Sequence, residues 1–155
     1  MTTTFADFAA EQDARNTIQL NVTKWTLMLC DALNQNYIDY SIKSHEHSIL
    51  SAAAPEQDPN SATFKYHVAR IVDLKNGISD YDFYHEPGRK YHKIIMNANG
   101  SRSVHAFVDK KTGEVYKSAS WKSPAKGVRY DLRIIEQREW LLNNADWAGG
   151  YLYAK

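Results

Sequence analysis

A single cysteine, Cys30, rules out an internal disulfide, and nothing else in the composition points to an oxidising compartment. Long apolar runs are missing too: the longest are a few residues, far short of the about 20 that a membrane-spanning helix needs. The first residues, Met1 to Phe8, have neither the basic nor the apolar region of a secretory signal, so a cytoplasmic protein is expected. Catalytic signatures are scarce. There is no H-E-x-x-H, no G-x-S-x-G and no Walker A loop, and one cysteine cannot build a cysteine-rich zinc site. His45-Glu46-His47 is the closest pairing of potential ligands, and the expectation for it is a solvated loop. No cofactor, no metal and no enzymatic activity are therefore expected.

What is present is a chain of 155 residues, 43% hydrophobic and 24% charged, which fits one ordinary globular domain spanning 1–155. Its 4 Trp, 10 Tyr and 5 Phe are many for this length, and some are expected outside the core. The net charge of +1 hides an asymmetry. Residues 1–88 carry 6 basic against 12 acidic side chains, whereas residues 89–138 carry 12 against 4. A segment of one charge sign implies an anionic partner, or pairing between the two halves across the fold.

Along the chain, Thr4 and Asp7 form a candidate capping box for a short helix over 4–14. A second helix opens at Asn16 or Thr17, with Ile18, Val22, Trp25, Leu29 and Leu33 as its buried stripe and Cys30 beside it. From Tyr37 to Lys43 the apolar positions alternate, which predicts a strand. Pro55 to Ser61 reads as a loop, and Phe64–Leu74 fits either period, with the strand preferred. Asp80, Asp82 and Glu86, with Tyr81, Tyr84 and His85 among them, read as a polar connection whose charge faces the basic sheet, the alternative being a carboxylate cluster for a metal or for catalysis. Three strands follow, 89–96, 103–109 and 114–121, joined by turns at Asn99-Gly100 and Lys110–Gly113. A final helix over 132–146 is capped by Asp131 and turns Leu132, Ile135, Leu142 and Ala145 inward; Gly149-Gly150 ends it and Tyr151–Tyr153 pack back. The class is α+β: an acidic, helix-rich 1–88 packed on a basic meander of about 90–121, with a C-terminal helix in 89–155.

The basic stretch has a long, specific pattern: K-Y-x-K-I-I from Lys90, S-R-S-V-H-x-F-V-D from Ser101, T-G-x-V-Y-K from Thr112, and A-S-W-K-x-P-A-K-G-V-R-Y ending at Tyr130. Over about residues 89–132 it resembles a family of small tailed-bacteriophage proteins of unassigned function, with an echo in Ala145–Tyr153. The resemblance implies a phage origin, and a place of action in the infected host's cytoplasm or within the virion. It implies no chemistry.

Strand alternation yields the candidate site. Lys93, His105, Lys117 and Trp121 can share a sheet surface, offering donors to phosphate and a ring to a base. The ordinary alternative is Lys on a wet face and Trp in the core. In the loop after the third strand, Lys122, Lys126 and Arg129 surround Gly127 and precede Tyr130, an arrangement suited to an anion. The alternative is a solvated turn shaped by Pro124. Arg102, after the Asn99-Gly100 turn, is a further phosphate candidate or simply a hairpin tip. The leading expectation is a non-enzymatic binder of a nucleotide, RNA or DNA, including a nucleotide signal of host defence. A protein–protein module acting on a host protein or in the virion, with self-association, is the second. An enzyme acting on a phosphorylated substrate is the third.

Overall fold

The computed structural model describes residues 4–153. One helix, α1 (Phe5–Ser51), takes up a third of the chain and is about 70 Å long at 1.5 Å per residue. Thr4 caps it, its Oγ1 accepting from the Asp7 N–H at 3.1 Å. The expected break at residues 14–16 does not occur, because no glycine or proline stands between Phe5 and Ser51. The predicted strand over Tyr37–Lys43 is also overturned. Leu33, Tyr37 and Ser41 are buried at steps of four and prolong the stripe of Val22, Thr26, Leu29, Cys30 and Leu33. A short alternation of Ile38, Tyr40 and Ile42 imitated a strand, but the helical period extends over twenty residues and wins. Tyr40, expected on the covered side of that strand, is 53% exposed.

A 3₁₀ turn (Ala54–Gln57) carries Pro55 and leads to α2 (Ala62–Lys75). Ser61 caps α2 through its Oγ, which accepts from the Phe64 N–H at 3.1 Å. The strand preferred for Phe64–Leu74 is thus corrected to a helix. Only Leu74 of α2 is buried, so α2 lies along the outside of α1 and its apolar residues are partly open.

The remainder is an antiparallel meander in the order β1-β2-β3-β4-β5: β1 (Tyr81–Pro87), β2 (Tyr91–Ala98), β3 (Ser101–Asp109), β4 (Glu114–Lys117) and β5 (Tyr130–Asp131). The stretch from Asp80 to Glu86, read as a connection, contains strand β1. β4 stops at Lys117, four residues before the predicted end, and residues 118–129 form a loop returning to β5. The β2–β3 turn is the expected two-residue one, with positive φ at Asn99 (54°) and Gly100 (85°). α3 (Ile135–Asn144) begins later than predicted and has no side-chain cap; Asp131 instead accepts from the Arg133 N–H at 2.9 Å. Ile135, expected inward, is 59% exposed, and Leu142 is only partly buried; Leu141, not among the residues expected in the core, is the buried residue of α3. A 3₁₀ turn (Gly150–Leu152) closes the described chain, with Tyr151 and Leu152 buried as expected and Tyr153 exposed.

Cross-strand rows define two sheet faces. One row is His92, Val108, Val115 and Tyr130, and another contains Ile94 and Ala106. These residues join Phe83 and the α1 stripe in the core, together with Leu132, Leu141 and Leu152. The opposite row is Glu86, Lys93, Phe107 and Tyr116. A bulge sets Ile94 against Ala106 but Ile95 against Val104, leaving His105 as the extra residue. β1 would be an open edge, but the Asn34 side chain of α1 accepts from the Phe83 N–H at 2.7 Å and donates to the Phe83 carbonyl at 2.9 Å. No described helix is long and apolar enough to cross a membrane.

Candidate functional site

The nine residues singled out from the sequence fall into three groups. Lys93, Arg102 and Trp121 meet on the sheet face turned away from α1. Lys93 is on β2 in the outward row, Arg102 on β3 opposite Asn97, and Trp121 is carried over that face by the loop after β4. The Lys93 Nζ lies 5.0 Å from the centre of the Trp121 ring and the Arg102 guanidinium carbon 5.2 Å from it. Arg102 also lies 5.8 Å from the centre of the Tyr84 ring and pairs with the Glu86 carboxylate at 2.5 Å. Further along the face, Tyr91 meets Phe107 edge-on at 5.6 Å and Tyr116 at 6.1 Å, and Lys90 stands 5.2 Å from the centre of the Tyr91 ring. Phe107 and Ile95 are fully buried beneath this layer yet lie outside the helix-facing core. The face therefore combines aromatic rings and cations over a dry apolar base, and Trp121 keeps 40% of its surface open. It is not purely basic: Asp82 and Glu114 share it with Glu86.

The second group, His105, Lys117, Arg129 and Tyr130, converges on the C-terminal segment. His105 Nε2 and the Tyr151 hydroxyl are 2.8 Å apart, and the Lys117 Nζ lies 4.0 Å from the centre of the Tyr153 ring. Arg129 donates through Nε to the Leu152 carbonyl at 2.6 Å and through Nη1 to the carbonyls of Gly127 (2.9 Å) and Lys126 (3.2 Å). The Tyr130 hydroxyl donates to the Tyr151 carbonyl at 2.5 Å, and its ring stacks on Trp140. These contacts fasten residues 151–153 to the sheet, so the two separated parts of the sequence pattern are in contact. Strict strand alternation would put His105 on the face of Phe107, opposite Ala106. The bulge turns its ring inward to Phe83, 5.2 Å between centroids. Burial there lowers the His105 pKa to about 4, which makes the ring neutral at physiological pH. Gly127, expected to let the backbone approach an anion, has a φ of 94°, and its carbonyl accepts from its own chain's Arg129. The third group, Lys122 and Lys126, is exposed on the loop.

Two ion pairs occur among the described residues, Arg70–Asp73 and Arg102–Glu86. The acids of α1 and α2 make none with the basic segment, leaving most of its cations on aromatic rings or in solvent. A cavity of about 490 Å³ between Arg129, Trp140 and Tyr153 borders the C-terminal segment, and another of about 490 Å³ lies among His45, Tyr66, Arg70 and Asp80. His45 is on α1 rather than in a loop, and its Nδ1 lies 2.8 Å from that of His67 on α2. No group of three or more His, Cys, Asp or Glu among the described residues is arranged to hold a metal ion. Burial pushes the Cys30 thiol up to about 12, and Asp31 adds to the effect, so no nucleophilic thiolate forms at neutral pH.

The sequence reading puts Tyr84 and Glu86 in a polar connection whose charge faces the basic sheet, not in the candidate site, and it misses the strand that carries them. The signal was there: Tyr81, Phe83 and His85 alternate with Asp82, Tyr84 and Glu86 at the strand period. No curated protein and no solved structure matches the chain significantly. Residues 5–154 match a family model described as a family of unknown function (DUF7717), and the chain belongs to that family.

Proposed function

We propose that the protein is a non-enzymatic binder of single-stranded nucleic acid, which lies across the outward face of the sheet. The observation that carries this reading is the placement of Lys93 and Arg102 against the half-open Trp121 ring, with Tyr84, Tyr91 and Tyr116 along the same surface. Rings stack on bases of any sequence, and the cations beside them meet the backbone phosphates. An open face favours a strand over a free nucleotide, which would need a closed pocket. The resemblance to small tailed-phage proteins supports a setting in an infected bacterial cell, in the cytoplasm or the virion. A defence-signal nucleotide is the variant of this reading that the open face supports less.

The test is fluorescence anisotropy with labelled single-stranded RNA, single-stranded DNA and duplex, at low and physiological salt. Single strands are expected to bind more tightly than duplex. Trp121→Ala should weaken binding about 5- to 150-fold, the equivalent of 1–3 kcal/mol for one stacked base. Lys93→Glu should weaken binding and flatten its salt dependence. Absence of single-strand binding at low salt, or a Trp121→Ala protein that binds like the wild type, refutes the reading.

A protein–protein module is the second reading, favoured by the apolar residues that α1 leaves open: Phe5 at 85% exposure, Leu20 at 71% and Leu27 at 46%.

A further inference from the structure

α1 is far longer than the sheet it covers. Ile18 is its first apolar residue packed against the core and Val22 its first buried one, so the turns over residues 4–14 have little to pack against. A helical segment of that length without tertiary support is marginal in water. Yet it carries Phe5 and Phe8, one turn apart and 85% and 51% exposed. Asp7, Glu11 and Asp13 accompany them, and no lysine or arginine occurs from Thr4 to Ala14. Asp7 and Glu11, at i and i+4, run beside the two phenylalanines.

The complementary surface is on the far side of the molecule. From Val115 to Tyr130 there is no acidic residue, and Lys122 and Lys126 stand exposed on the loop within that stretch. Its loop leaves Trp121, next to Lys93 and Arg102, at 40% exposure, and Val128 at 45%. The arm cannot reach this surface in its own chain. α1 packs against the other face of the sheet, and with no glycine or proline from Phe5 to Ser51 it has no hinge by which to fold back.

We propose that residues 4–14 form an acidic arm that docks on the Trp121 loop and adjacent cations of a second copy of this chain. Reciprocal exchange of arms closes a two-fold dimer in which Phe5 and Phe8 are covered and each arm occupies its partner's outward face. The arm then competes with a nucleic-acid strand for that face, an extension that rests on the function proposed above.

Sedimentation velocity of the full chain from 1 to 100 µM, at 50 and 500 mM salt, tests the docking. Expected is a concentration-dependent dimer, weaker at high salt. D7K/E11K should lower its association constant at least tenfold while circular dichroism shows an unchanged helix content. Adding K122E/K126E to that variant should recover part of the loss. A monomer at every concentration, or a dimer indifferent to D7K/E11K, overturns the docking, whatever the protein does with nucleic acid. Anisotropy with a labelled single strand on the same samples separates the two proposals. A salt-sensitive, arm-dependent dimer that binds no strand upholds the docking and overturns the nucleic-acid reading. Tighter strand binding by F5S/F8S, which strips the arm of its apolar contacts without adding positive charge, than by the wild type supports both.

Discussion

His92 and His105 are the residues where burial has the most direct chemical consequence. The Thr23 hydroxyl donates to the Gln19 carbonyl at 3.0 Å, so the His92 Nε2–H donates to Thr23 Oγ1, and Nδ1 is left buried as a bare acceptor. Desolvation, helped by His85 and Lys110, lowers the His92 pKa to about 4; desolvation does the same for His105, against a smaller opposing effect of Asp146. In the unfolded chain both titrate near 6.5. The unfolded state therefore binds more protons below pH 6.5. Stability from these two residues is complete above that pH and is lost as pH falls towards 4, by up to about 3 kcal/mol each. Melting curves from pH 7.5 to 4 should show the midpoint dropping through that window; a flat profile would contradict the buried placement of both rings. Gly113 makes a second residue-scale prediction. Its φ is +75°, and an added Cβ would lie 3.3 Å from Arg133 Cγ and 3.4 Å from Val22 Cγ2. Gly113→Ala should cost about 1–3 kcal/mol. At about 2–4 °C per kcal/mol for a chain of this size, the melting point falls by several degrees.

At the scale of elements, α1 supplies both the core and the guard on the sheet edge. Leu29 and Leu33 are fully buried between the helix and the sheet, and Leu29→Ala should cost about 2–5 kcal/mol in urea unfolding. Asn34, one residue after Leu33, meets both backbone groups of Phe83, so the edge strand β1 offers no free pair of hydrogen bonds there. Asn34→Ala leaves those groups without a protein partner and should cost about 1–3 kcal/mol. Hydrogen exchange should localise the effect: the Phe83 amide is expected to lose protection while amides in β3 retain theirs.

At the scale of the whole molecule, the charge asymmetry is not resolved by pairing. Among the described residues the acids of α1 and α2 make no ion pair with the basic segment, and several of its cations stand over aromatic rings. Two consequences are measurable. If the outward face takes a strand, the logarithm of the binding constant should fall linearly with that of salt concentration, with a slope near −0.7 for each phosphate contacted. F5S/F8S should move the melting temperature of dilute protein by no more than about 2–4 °C, because each exposed substitution away from packed features changes stability by about half a kcal/mol or less.

The sequence by itself determined the elements whose periodicity is local. The stripe from Val22 to Leu33, the Asn99-Gly100 hairpin, the β2 and β3 strands and the α+β class were all legible, because side-chain period and turn chemistry are properties of neighbouring residues. The segregation of charge was legible for the same reason. Tertiary structure decided the rest. Residues 37–43 carry both periods over seven positions, and only the continuing buried stripe of α1 selects the helix. Phe64–Leu74 was equally ambiguous until it packed along α1. The division of the candidate residues was out of reach, since it depends on a bulge between β2 and β3. That extra residue sends His105 inward to Tyr151 and leaves Lys93 and Arg102 outside with Trp121. A one-residue shift in register moves a side chain to the other face of a sheet, and a single strand's sequence carries no record of where its neighbour bulges.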